Sequence, residues 1–173
     1  MTLYVTGDQV FHPFFGAGTI TSVEAKRIGG RRRRYYVIDM VMDAMQIMVP
    51  IDRVSAIGLR KVGEGKRLRE MLYALDGVPK IKEAKGTARR TRQEEMRERL
   101  KSGSFVQIRD TVRELHVMQR ERPLGMMDRE LLEQGKRFLA GELALALGLD
   151  AEKALKEVEK SLSEMMEGQE QQT

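Results

Sequence analysis

The feature that most constrains the fold is a change of pattern near Val62. Before this point, short apolar stretches alternate with turn residues at close intervals, which is typical of β structure. After it, Leu, Ala, Glu, Arg and Met dominate, and apolar residues recur at helical spacing. The pattern predicts an α+β chain in two domains, with a small β-barrel over residues 1–62 and an all-α helical domain over residues 63–173.

Four short stretches predict strands, separated by Pro13, Gly16, the Gly29-Gly30 pair and Asp43. They cover residues 9–12, 18–28, 35–41 and 45–49. A flat sheet of such short strands would leave its edges exposed, so a barrel is the expected arrangement. One helical turn is expected after it, at residues 51–58.

The second part of the chain predicts helices throughout. Ser104 and Gln107 match a Ser-x-x-Gln capping box, after which apolar residues recur on one face as far as Met118. Further helices are predicted over residues 64–75, 87–101 and 128–147 and from Asp150 onward, with a loop at 77–86 and Gly148 as a stop signal. The alternating Leu-Ala run at 143–147 is assigned to a helix because both residues are strong helix formers.

The chain carries little that could support catalysis. It has no cysteine, and His12 and His116 are its only histidines. No Walker, His-Glu-x-x-His or Gly-x-Ser-x-Gly motif is present. We therefore expect no enzyme, no catalytic residue, no metal site and no cofactor. No signal peptide or bilayer-spanning run is visible either, which predicts a cytoplasmic protein without a membrane partner.

Positive charge is concentrated in the middle of the chain. Residues 80–101 hold nine Lys or Arg against four Glu, whereas the chain from residue 150 onward is acidic. Arg89, Arg90 and Arg92 lie at a predicted helix start, where backbone amides and the helix dipole favour phosphate. These arginines are candidate DNA contacts. The alternative is a solvated helix face on which the glutamates at 94, 95 and 98 pair with neighbouring cations.

A second basic run, Arg31 to Arg34, follows Gly29-Gly30 at a predicted hairpin tip. Such charges can prevent edge-to-edge aggregation of strands, or they can contact nucleic acid or an acidic partner. Residues 35–38 continue as a strand. An edge strand beside a charged tip is suited to accepting a strand from a partner protein.

Short motifs spread over nearly the whole chain resemble the bacterial CarD/CdnL transcription regulators. In the first part they are Gly-Asp-Gln-Val at 7–10, His-Pro-Phe-Phe-Gly-Ala-Gly at 12–18, Tyr-x-Val-Ile at 35–38, Met-Gln-Ile-Met-Val-Pro at 45–50 and Gly-Leu-Arg at 58–60. In the second part they are Leu-Lys-Ser-Gly at 100–103, Val-Arg-Glu-Leu at 112–115, Gln-Arg-Glu-Arg-x-Leu at 119–124 and Phe-Leu-Ala-Gly-Glu-Leu at 138–143.

The resemblance implies a Tudor- or SH3-like barrel that binds the β subunit of RNA polymerase, and a helical domain on promoter DNA at the upstream edge of the melted region. It implies no enzymatic activity and no small-molecule substrate. The family's polymerase contact maps here onto a charged pair and an apolar pair of residues: Lys26, Arg27, Ile47 and Met48.

One departure concerns the DNA contact. The family typically carries a tryptophan ahead of the Leu-x-Ser-Gly stretch, and this chain has no tryptophan. Counting back from Gly103 places Arg89 at that position, while Arg92 matches a family arginine and Arg129 a basic residue near the DNA. An arginine can enter a narrow minor groove, but it cannot act as an apolar wedge between bases.

The sequence therefore predicts a regulator that binds polymerase and contacts mainly the phosphates of promoter duplex, shifting the stability of the open complex. The alternative is a non-enzymatic protein–protein adaptor whose basic helical face is only solvated. An RNA-binding accessory barrel is a weaker third interpretation, because exposed aromatic pairs are lacking.

Overall fold

A computed structural model describes residues 4–79 and 89–171 of the chain. Five strands form one antiparallel sheet in the order β4-β3-β2-β1-β5. The strands are β1 (Gln9–His12), β2 (Gly16–Ile28), β3 (Arg31–Met40), β4 (Gln46–Pro50) and β5 (Arg60–Lys61), and the helices are α1 (Val54–Ile57), α2 (Gly65–Tyr73), α3 (Arg89–Lys101), α4 (Phe105–Glu121), α5 (Met126–Leu147) and α6 (Ala151–Gln171).

The order of elements confirms the predicted α+β architecture, with a Tudor-like antiparallel sheet followed by helices. β4 and β5 are the two edges of the sheet. The module has its own apolar core, in which Ile20, Tyr36 and Ile38 are fully buried. Tyr4 helps to close this core from outside the sheet, since its hydroxyl donates to the Leu59 carbonyl at 2.9 Å.

The helical core is larger and includes part of the sheet. Phe11 of β1 and Ala17 of β2 are buried in the same cluster as the apolar faces of α2 to α6. The Phe11 ring meets that of Phe138 on α5 edge to face, with 5.4 Å between centroids. Gly141 lies where α5 crosses the sheet, and an added Cβ there would be 3.2 Å from Val41.

Two helix ends follow the predicted signals, whereas α5 begins at Met126 rather than at Asp128. The Ser104 hydroxyl accepts the Gln107 amide at 3.3 Å, which confirms the N-cap of α4. The reciprocal half of the capping box is replaced, because the Ser104 amide donates to the Ser102 hydroxyl at 3.1 Å. Gly148 ends α5 in the left-handed region with φ of 66°. The first residues of the helix predicted over 87–101, and most of the loop predicted at 77–86, lie outside the described residues.

A buried ion pair joins the sheet to the helices, and Arg137 of α5 forms a second, exposed one with Asp43 after β3. Glu142 of α5 is buried and accepts both Arg60 terminal nitrogens, at 2.6 and 2.8 Å, and the Gly63 amide at 3.0 Å. Arg60 also lies 4.6 Å above the Phe11 ring centroid and donates through Nε to the Gly103 carbonyl. None of the helices in the described residues is long and apolar enough to cross a bilayer.

Candidate protein-docking and nucleic-acid surfaces

β4 is an edge strand of the sheet. β4 pairs with β3 on one side, with Ile47 opposite Ile38 and Met48 opposite Val37. The Met40 amide donates to the Met45 carbonyl at 3.0 Å. Since backbone groups alternate along an antiparallel ladder, the amides and carbonyls of Ile47 and Val49 then point toward β3, and those of Gln46 and Met48 point away from it.

No described residue pairs with this outward side of β4, which is the geometry that strand addition by a partner requires. Pro50 fits the same alternation, because it occupies an outward position where no amide is needed. The sequence-based expectation that residues 35–38 supply the edge is wrong. They belong to β3, which pairs with β2 on one side and with β4 on the other.

The two halves of the predicted docking set are not adjacent. Met48 is opposite Val37, whereas Lys26 is opposite Arg33, four residues further along β3 and roughly 14 Å away at about 3.4 Å per residue. Ile47 packs partly against the core of the β module. Met48 therefore has backbone groups that face away from β3, and Lys26 and Arg27 are exposed cations beyond the end of β4.

Arg89 and Arg90 are exposed at the first described residues of α3. The Arg90 side chain is 93% exposed, and its distance to Glu94 is long for an ion pair, at 3.9 Å. Because such an exposed pair is weak, the Arg90 charge remains available to an anion. Arg89 Nη2 lies in the space that a side chain at Gly125 would occupy, just before α5. Because glycine has no side chain at position 125, Arg89 of α3 can reach the start of α5.

Arg92 is in a different environment from its neighbours. Its side chain is 14% exposed, and its guanidinium donates to Asp128 Oδ2 at 2.9 Å and to Met118 Sδ at 2.9 Å. Gln93 donates to the other Asp128 oxygen at 3.1 Å. The charge of Arg92 is therefore balanced inside the protein, where it ties α3 to α5.

Arg129 is exposed on the first turn of α5 and donates to the Leu124 carbonyl at 3.2 Å. Arg122, which sequence analysis did not select, is exposed at the end of α4 and lines the same cleft as Arg89. Its position in the loop between two predicted helices was the available signal. The structure thus brings exposed Arg89, Arg90, Arg122 and Arg129 to one end of the helical domain.

A cleft of about 590 Å³ lies between the start of α3, the end of α4 and the start of α5. Its lining includes carboxylates as well as arginines, namely Glu95, Glu114 and Asp128. Two of these are already paired, Glu114 with Arg99 and Asp128 with Arg92. Exposed apolar surface stands beside it, since Met126 is 73% exposed. The positive charge available to a ligand therefore lies on the exposed arginines at the rim of the cleft and not on its floor.

His12 is buried and His116 is partly buried. The Nδ1 atom of His12 accepts the Phe14 amide at 3.1 Å. Burial lowers the pKa of His12, which favours the neutral ring that this bond requires. Burial also lowers the pKa of His116. Among the described residues, no group of three or more His, Cys, Asp or Glu is arranged to hold a metal ion.

An unpaired strand edge on a β module, joined to a helical domain with an arginine-rich end, is an arrangement typical of proteins that bind other macromolecules. Two family models match the chain, that of the CarD-like/TRCF RID domain over residues 4–63 and that of the CarD C-terminal domain over residues 74–159. The chain is 25% identical to "Putative transcription factor YdeB" of Bacillus subtilis (strain 168), over 89% of this chain and 98% of that relative. The chain belongs to the CarD-like family of transcription regulators.

Proposed function

We propose that this protein binds the β subunit of RNA polymerase through residues 1–62 and contacts promoter DNA through the helical domain, without catalysing a reaction. In the cytoplasm it would act at the upstream edge of the transcription bubble and change the stability of the open complex. The observation that carries this proposal is the outward backbone of β4, because a sheet edge with unpaired amides and carbonyls recognises another strand.

The DNA half of the proposal depends on Arg89, Arg90 and Arg129, with Arg92 as a structural support. Exposed arginines make charge-assisted bonds to phosphate oxygens that carry little sequence information. Polymerase would therefore supply most of the promoter specificity. Lys26 and Arg27 would contact acidic groups of the polymerase beside the added strand.

The docking half is tested with Met48→Pro, which removes an outward amide without touching the bonds to β3. Its matched control is Met48→Ala, which keeps the amide and removes only the side chain. We expect Met48→Pro to lose binding to the isolated polymerase β subunit in a titration, while Met48→Ala retains most of it. Equal affinity of both variants and the original protein would overturn strand addition at β4.

The DNA half is tested with Arg89→Ala, Arg90→Ala and Arg129→Ala combined. Open-complex lifetime on a promoter, measured by transcript release after competitor challenge, should lose the effect of the protein, while polymerase binding is retained. An unchanged lifetime effect would contradict the DNA role. It would favour the adaptor alternative, which the internal pairing of Arg92 with Asp128 supports.

A further inference from the structure

The hairpin between β2 and β3 extends beyond the rest of the sheet. β1 pairs with β2 only from Gly16 to Thr19, and β4 pairs with β3 only from Tyr35 to Asp39. Residues 25–34 therefore pair only with one another, and we call this two-stranded segment the arm. Gly29 and Gly30, both with positive φ, form the turn at its tip.

The arm is strongly basic, and most of its charge is not balanced. Of its cations, Arg33 donates to both Asp52 oxygens and Lys26 lies 3.9 Å from Glu24. The other four have no carboxylate within ion-pair distance among the described residues: Arg27, Arg31, Arg32 and Arg34. Arg27 stands directly opposite Arg32, where like charges repel and weaken the ribbon.

The cations lie on both faces of the arm. Side chains alternate along a strand, so Arg27, Arg32 and Arg34 share one face, and Lys26, Arg31 and Arg33 share the other. A flat acidic protein surface would contact one of these faces. The major groove of B-form DNA admits a two-stranded ribbon and presents phosphates on both sides of it.

We propose that the arm is a second binding site for double-stranded DNA, held by phosphate contacts from Arg31, Arg32 and Arg34. The tip of the arm is eleven residues along β2 from Ala17, where β2 packs against the helices, which is at most roughly 36 Å at about 3.3 Å per residue. The arm belongs to the β module, whereas the exposed arginine cluster lies on the helices. Lys26 and Arg27 on its first strand keep their proposed role toward polymerase.

The test is the salt dependence of binding between the full chain and a random-sequence DNA duplex. Each phosphate contact adds about 0.9 to the slope of log affinity against log salt. Arg31→Ala, Arg32→Ala and Arg34→Ala combined should therefore make the slope shallower by up to about 2.7. The same three positions changed to Lys should keep most of the slope, because the charges remain.

The charge-matched control is Lys153→Ala, Lys156→Ala and Lys160→Ala combined, on the exposed face of α6. A slope change in the arm variant no larger than in this control would overturn the proposal. So would an unchanged slope accompanied by loss of polymerase binding, which would instead assign the arm to an acidic protein surface. Unaltered circular dichroism establishes that the variants are folded.

The outcomes separate this site from the DNA contact proposed above. If the arm variant loses slope and the combined Arg89, Arg90 and Arg129 variant does not, the arm binds DNA and the helical cluster does not. The reverse result would overturn the proposed DNA site on the arm and support the DNA contact by the helical domain. As a direct readout, a photo-crosslinking residue at the 58% exposed Ile28 should capture labelled duplex, and failure to capture it would count against the arm.

Discussion

At the scale of single residues, Asp128 organises the basic end of the helical domain. It lies on the first turn of α5, where the helix dipole favours a carboxylate, and it accepts from Arg92 and Gln93 of α3. Both partners of the ion pair are largely withdrawn from water, at 14% and 5% side-chain exposure. Removing one partner leaves the other charge buried, which costs more than the pair itself contributes.

Arg92→Ala should therefore lower the free energy of unfolding by about 2–4 kcal/mol, with Gln93 and the helix dipole limiting the loss. The matched control is Arg90→Ala, whose side chain is almost fully exposed and should change stability by less than about 0.5 kcal/mol. Urea unfolding followed by circular dichroism measures both. Similar midpoints for the two variants would mean that the Arg92–Asp128 pair does not stabilise the fold.

The difference between Arg92 and Arg90 shows what the sequence could not predict at this scale. The run of basic residues at 89–92 was visible, and two of its members are indeed exposed. Nothing in that run distinguishes the member that pairs with Asp128, which is thirty-six positions away. Arg122 was missed for a related reason, since only folding brings the end of α4 beside Arg89.

At the scale of elements, local patterns predicted well where a whole face is buried. The Leu-Ala alternation at 143–147 lies within α5 as expected, because the helical residues on both sides continue through it. β5 was missed, since two residues carry no periodicity and it exists only through pairing with β1. Which strand forms an edge also depends on pairing, and this is why β4 rather than β3 carries the open side.

The contact between α4 and α5 depends on a glycine. A Cβ added at Gly135 would lie 2.5 Å from Val112 Cγ2, so Gly135→Ala must displace the stiff, β-branched Val112 side chain or move the two helices apart. We expect this change to lower the free energy of unfolding by about 1–3 kcal/mol despite the better helix propensity of alanine. Thermal unfolding should therefore show a lower midpoint temperature for the Gly135→Ala variant than for the original protein.

The control for Gly135→Ala is Gly168→Ala, near the end of α6, where an added Cβ meets nothing within 4 Å. Only backbone entropy and helix propensity act there, and both favour alanine by up to about 1 kcal/mol. The change in the free energy of unfolding caused by glycine to alanine should therefore have opposite signs at the two positions. A stabilised Gly135→Ala variant would show that α4 and α5 are not held at their closest approach.

At the scale of the whole molecule, the division that the sequence predicts near Val62 is also where the two parts are joined. Arg60 lies on β5, the last strand of the β module, and contacts the Phe11 ring, the Gly103 carbonyl and Glu142. Composition predicts the change of class, but it cannot predict this joint, whose carboxylate comes 82 positions later. The joint is one of the contacts that connect the sheet, which carries the β4 edge, to the helices.

Glu142→Ala should therefore lower the free energy of unfolding by about 2–4 kcal/mol, since it leaves the Arg60 charge and the Gly63 amide without their buried acceptor. The Arg60 side chain is 32% exposed, so water offsets part of the loss. A double-mutant cycle with Arg60→Ala isolates the pair, and its coupling energy should be about 1–3 kcal/mol. The exposed Glu152 and Lys156 pair on α6, at 3.2 Å, should give a coupling below about 0.5 kcal/mol in the same assay. Additive single effects at Arg60 and Glu142 would mean that this ion pair does not hold the sheet to the helices, and that other contacts do so, such as the packing of Phe11 on Phe138 and the Arg137–Asp43 pair.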